Sequence, residues 1–320
     1  MGMMRAQLGR LWRASRPLTA IGMVMMAAFA VSLAAMAVDQ SQILGAPTWL
    51  KPAKFAVSTA VYAFTLAWIF TYLPDRLRLT TIVGWITAVV LTLEVVAIDI
   101  QAARGVTSHF NIATPLDAAL FAAMGLAILM AWGAAIALTV ALFRRRFADE
   151  TFGWALRLGL LLTVVGQATG GLMTNPTQAQ LAATPTTRIT VAGAHTVGAP
   201  DGRPGMPVTG WSREHGDLRV PHFVGLHAVQ LLPVIVWLIG PLGAAASRRR
   251  AVALAAAAYL AVFAILLAQA LSGQPVLAPQ GIVLWAFAAW AAALVAGAVF
   301  VFVSRKDAAS GDRAPMLVSR

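Results

Sequence analysis

The chain has 320 residues, 59% of them hydrophobic and 11% charged, with a formal net charge of +12 and no cysteine. So few charges cannot cover a soluble protein of this length, and the apolar residues gather in runs of about 20, the length a bilayer core requires. The missing cysteines exclude disulfides, thiolate nucleophiles, cysteine-ligated zinc and C-x-x-C-H haem attachment. The positive charge sits in short arginine bursts between apolar runs, which reads as membrane topology and excludes nucleic acid as the partner.

In chain order, a basic segment 1–17 leads into an all-α transmembrane bundle occupying 18–303. Eight spans are expected, at 18–38, 55–73, 80–100, 117–143, 152–173, 222–245, 251–271 and 282–303, with a tail at 304–320. Each is long enough to cross about 30 Å of hydrocarbon at about 1.5 Å per residue. The first span ends in Ala35-Met36-Ala37, which resembles a signal-peptidase site. Its apolar run is longer than a signal peptide's, so a retained anchor is expected.

Arginine sets the orientation. With the N-terminus inside, 17 of the 24 Lys and Arg fall on inner segments, among them Arg76, Arg78, the triplets Arg144–Arg146 and Arg248–Arg250, Arg305 and Lys306. Lys51, Lys54, Arg104, Arg188, Arg203, Arg213 and Arg219 remain outside. Both termini are therefore expected in the cytoplasm. The long connection 174–221 falls outside. Its "APDGRPGMP" stretch is turn chemistry, while "TRITVAGAHTVG", Val208 and Trp211 give it material for a short ribbon and some packing, so a lid is expected rather than a linker.

The polar residues then sort to the outer side. All five histidines lie there: His109, His195, His215, His222 and His227. Glu94 lies roughly 9 Å below the outer end of the third span, and His227 and Gln167 are about as deep in theirs. Asp99, Gln101, Arg104, His109, Asn111 and Asp117 cluster where spans three and four meet. Lys51, Lys54, Ser58, Tyr62 and Thr65 form one stripe at helical spacing on span two, and Gln230 shares a side with His227. Several of these also fit structural roles. The lysines suit snorkelling to headgroups, the Ser–Tyr–Thr stripe suits interhelical hydrogen bonds, and Gly166 with Gly170 suits close helix packing. His195 and His215 read as ordinary loop residues.

Glu94 and His227 are the exception, because ionisable groups within hydrocarbon point to function by default. Imidazole with carboxylate suits a metal ion, with Glu94, Asp99, His222 and His227 as the donor set. Two imidazoles on different helices suit haem b, with His109, His222 and His227 as the candidates. A Glu–His pair equally serves as acid and base, or carries protons for a transporter. No HExxH, paired histidine box or GxSxG occurs. The leading expectation is a metal or haem site taking a small molecule or ion at the outer face, in a redox or hydrolytic enzyme. The alternatives are a proton-coupled transporter using the same residues and a structural membrane subunit. Lys54, Ser58, Tyr62, Gln101, Arg104, Gln167, Arg219 and Gln230 are expected to line the site.

The segments "WLKPAKFAVS", "SHFN" and "GWSREHGDLRVPHFVGLHAVQLLP", with the spans around them, resemble an uncharacterised family of bacterial multi-pass inner-membrane proteins. The likeness runs from 49 to 233. It implies a bacterial inner-membrane location and supplies no activity.

Overall fold

The computed structural model describes residues 2–182, 189–240 and 245–311, with side chains as far as 303 except that of Ala245. Among the expected features, Arg188, the lid residues 183–188, residues 241–244, the side chains of Arg305 and Lys306 and the tail beyond 311 lie outside the described residues.

Among the described residues seven helices are long and apolar enough to cross a membrane, and a bent pair that passes the same test together brings the number to as many as eight. The protein is an all-α, multi-pass membrane bundle. The basic N-terminal segment forms a helix of its own, α1 (Gly2–Ala14), which buries no side chain. Ser15 caps α2 (Arg16–Val38), with Pro17 in its first turn, where a missing N–H costs nothing. A two-stranded turn, β1 (Gln42–Ile43) with β2 (Ala46–Pro47), leads into α3 (Leu50–Phe70). A 3-10 turn at Pro74–Arg76 precedes α4 (Leu77–Ala103), and then come α5 (Pro115–Phe143) and α6 (Glu150–Met173).

The long connection carries a short helix α7 (Gln178–Leu181), opened by a Thr177–Gln180 capping box, and a ribbon of β3 (Thr196–Val197) with β4 (Gly216–Asp217). The bent span is α8 (Arg219–Leu226) plus α9 (Ala228–Ile239), and the bundle ends with α10 (Ala245–Leu271) and α11 (Gly281–Gly311). The core lies among α2 to α6, around Leu18, Leu66, Ile69, Leu138, Leu156 and Leu160. α11 packs on α10 at the edge.

Two features shape the site. First, α6 presents Gly159, Thr163, Gly166 and Gly170 on one face. A Cβ on Gly166 would stand 2.4 Å from the Cα of Gly225, and one on Gly159 3.0 Å from the carbonyl of Ala228. Hence α6 meets α8 and α9 at backbone contact, as small residues allow in lipid. Second, the sixth span breaks by 49° at His227. Backbone groups near the break find side-chain partners, as hydrocarbon demands. Tyr259 donates its hydroxyl to the Val224 carbonyl, Thr163 Oγ1 donates to the Leu226 carbonyl at 3.1 Å, and Val229 N donates to Thr163 Oγ1 at 3.2 Å.

The alternating spans put the long connection at one end of the bundle and the arginine bursts at the other. At the arginine end Arg157, 6% exposed, caps α5 by donating to the carbonyls of Leu142 and Arg145, and pairs with Glu150 at 3.0 Å.

Candidate functional site

At the loop end, α3, α4 and the α4–α5 connection bring three titratable groups into one line. His109 Nε2 lies 3.2 Å from Glu94 Oε1, and His109 Nδ1 lies 3.1 Å from Lys51 Nζ. Ser108 Oγ is also 3.1 Å from Nδ1. Glu94 is 4% exposed, and its second oxygen, Oε2, is buried without a hydrogen-bond partner. Phe55 covers the imidazole at 5.7 Å between ring centres. Burial, followed by repulsion from Lys51 and then from the His195 and His222 rings whenever these take a proton, pushes the His109 imidazole well below its ordinary 6.5, so it stands neutral. An ammonium only donates. Nδ1 therefore accepts from Lys51, which leaves the proton on Nε2 to be donated to Glu94.

The long connection closes over this line. Lys54 Nζ donates to the Thr209 carbonyl at 2.9 Å, and Arg219 Nη2 to that of Gly210 at 2.6 Å. Asp217, 1% exposed, takes Arg219 Nη2 at 2.6 Å and Arg219 Nε at 2.9 Å. His195 sits against Phe110, 4.8 Å between ring centres, and pairs with Asp201 at 2.9 Å. Burial alone would raise the Asp201 carboxyl, but the His195 side chain and the backbone amides of His195 and Thr196 outweigh it and hold it low. His195 is lowered chiefly by burial, against the pull of Asp201. Ala192 N donates to Phe110 O at 2.8 Å and Ala194 N to Met173 O at 3.0 Å, which fixes the connection on α6 and the α4–α5 loop. Gly216 lies against the end of α10, where a Cβ would fall 2.0 Å from the Ala270 carbonyl.

The other residues singled out in the sequence divide between neighbouring groups. Gln101, 0% exposed, donates to Asp117 Oδ1 at 2.9 Å; Arg104 bonds both, reaching Asp117 at 2.6 Å. Gln101 and Glu94 thus share α4 but serve different partners. Asp99 is half-buried, with Oδ1 unpartnered. Tyr62 stands beside Gln167, Ser58 is exposed, and Gln230 donates to Thr65 at 3.3 Å.

The expected bridge of His222, His227 and Glu94 is not what the structure assembles. The His222 ring turns to the Gly166 carbonyl at 3.0 Å and Thr169 Oγ1 at 3.2 Å, where Gly170 leaves it room. His227 sits in the bend, its ring 4.3 Å from that of Phe223. The partner of Glu94 is His109. Among the described residues no group of three or more His, Asp and Glu is placed to hold a metal ion. The metal and haem expectations receive no support from this geometry.

Asp201 and Asp217 stand outside the expected site, while Lys51 and Asp117 enter it only as members of the polar stripe and of the cluster where spans three and four meet. Lys51 carried a signal, since it begins the polar stripe that Lys54 continues. The two loop aspartates carried none, because their partners lie on the folded connection. No protein-family model matches the chain, and comparisons with curated proteins and with solved structures return no match.

Proposed function

We propose that this is a proton-coupled membrane transporter, working at the outer face of a bacterial inner membrane, with Lys51, His109 and Glu94 as its proton-handling line. The observation that carries the reading is the buried imidazole between an ammonium and a carboxylate. A proton passing from Lys51 Nζ to Nδ1, with the Nε2 proton passing to Glu94, turns a separated Lys⁺/Glu⁻ pair into a neutral amine and a neutral acid. Charge is conserved, and no ion has to cross the apolar interior. The unpartnered Glu94 Oε2 supports a role beyond structure, since leaving such a group unsatisfied costs about 1–3 kcal/mol. It is the natural acceptor for a donor group on a small solute entering from the loop end. Broken spans are where transporters hold their solutes, and the bend at His227 lies in the same half of the bundle.

The test uses protein in vesicles loaded with a pH-sensitive dye and challenged with a panel of small amines, amino acids and carboxylic acids. At least one solute should drive proton movement in wild type, and none should in Glu94→Gln or His109→Gln of unchanged melting temperature. Proton movement that survives Glu94→Gln overturns the assignment, as does a panel that elicits none. Reporter fusions after Arg146 and Arg250 should read cytoplasmic, and fusions in 193–216 external.

A further inference from the structure

A second feature lies at the opposite end of the molecule. There α3 and α9 stand apart, leaving a cavity of about 830 Å³ between them. Its inner wall is an aromatic cluster. Trp68 meets Tyr72 edge-on at 5.5 Å and Phe152 at 5.7 Å, and Tyr72 meets Phe152 at 5.0 Å. Its outer rim is Trp237, 78% exposed. The deep end is closed by Gln230 bonded to Thr65, and the mouth is formed by Asp149 and Arg248. Along α9 the cavity runs from Gln230 to Gly240, about 15 Å at the helical rise, which is half of an about 30 Å hydrocarbon core. It is therefore as deep as one leaflet.

The mouth is not neutral. Arg248 bonds Asp149 through Nη2 at 2.6 Å, but its Nε is buried with no partner. Arg249 and Arg250 follow it, and the Arg144–Arg146 triplet ends α5 at the same end of the bundle. Asp75 pairs with Arg145 at 2.7 Å and Asp149 with Arg248, and these two carboxylates do not balance the six arginines.

We propose that this cleft is a binding site for an anionic phospholipid, its phosphate at the Arg248 guanidinium and one acyl chain along the Trp68–Tyr72–Phe152 wall. Charge complementarity selects the headgroup, and leaflet depth selects the chain. A zwitterionic lipid fills the same space without the net charge the mouth attracts.

The experiment is tryptophan quenching by phospholipids with brominated acyl chains, with the full-length protein in bilayers. Brominated phosphatidylglycerol should quench more than brominated phosphatidylcholine at equal mole fraction, by an apparent preference of about fivefold, the ratio one basic side chain supplies beside an anionic headgroup. Trp237→Phe should remove the preferential component. Arg248→Gln should abolish the preference, whereas Asp149→Asn, which keeps the oxygen that caps α6, should strengthen it. These opposite shifts separate headgroup recognition from damage to the fold. Equal quenching by both lipids overturns the proposal, and so does a preference that survives Arg248→Gln. Glycerol phosphate in solution should leave the quenching unchanged; displacement by it would overturn a site that requires the acyl chain.

Discussion

Imidazole is the side chain that accepts at one nitrogen and donates at the other while uncharged. That is the requirement at a buried point between Lys51 and Glu94, and it explains why His109 is held neutral there. The same fact fixes a pH dependence. In the native protein His109 lies well below 6.5, and His195 is also lowered, while in an unfolded or opened chain both return to about 6.5. Between the folded value and 6.5 the unfolded chain binds more protons, so stability rises with pH. Stability is thus complete above about 6.5 and is lost as pH falls below it toward the folded values. Relative to the wild type, His109→Gln is expected to lose less melting temperature between about pH 7 and about pH 5. An equal slope in wild type and variant would contradict the account. At this scale the sequence identified Glu94 and His109 by depth and side. It did not pair them, because His109 reaches Glu94 only through the turn of the α4–α5 connection, which no helical periodicity encodes.

At the scale of elements, the membrane helices are legible because hydropathy and length act along the chain. The spans expected at 18–38, 117–143 and 152–173 fall within α2, α5 and α6 to within a few residues at each end. The break in the sixth span is different. Pro233 lies six residues beyond it, inside α9, and the segment around His227 is otherwise apolar and helical in pattern. What bends the chain is tertiary: Thr163 and Tyr259 take the freed backbone groups, and Gly166 lets α8 approach. The GxxxG reading as a packing device holds at Gly166, whose neighbour is Gly225, while Gly170 makes space for His222. Gly225→Ala would place a methyl 2.4 Å from the Gly166 Cα and 3.1 Å from Phe263. The cost is expected to be about 1–3 kcal/mol or more, since backbone cannot yield as a side chain does. Gly171→Ala meets nothing within 4 Å and is expected to be neutral or slightly stabilising. Thermal melts of the two variants side by side check this, and equal melting temperatures would remove the contact from the list of forces that set the bend.

Across the whole molecule, the polar chemistry of the loop end depends on the long connection staying down. Composition revealed that this segment had the turns and apolar residues to pack. It did not reveal the anchor, since Asp217 reads in sequence as one more loop acid. In the folded protein Asp217 accepts from Ser212 N at 2.8 Å, Arg219 N at 3.0 Å and the Arg219 guanidinium, all while 1% exposed. Arg219 in turn reaches the Gly210 carbonyl, beside the Thr209 carbonyl held by Lys54. One carboxylate therefore ties the start of α8 to the turn that covers the site. Asp217→Asn keeps the shape but leaves a guanidinium facing an amide. Breaking a fully buried pair costs about 3–5 kcal/mol, and because Arg219 is partly exposed the expected loss here is about 2 kcal/mol. If the connection opens as a local unit, its open population rises by about 30-fold for that loss. Amide hydrogen exchange in peptides covering 205–219 should accelerate by that factor in Asp217→Asn, while peptides from the middle of α3 and α6 keep the wild-type rate. Lys54→Met, which removes one hydrogen bond to Thr209, should act in the same direction and by less. Exchange in the wild type at the rate of an unstructured chain, or no acceleration in Asp217→Asn, would mean that the connection does not close the loop end, and the shielding of Lys51, His109 and Glu94 would need another source.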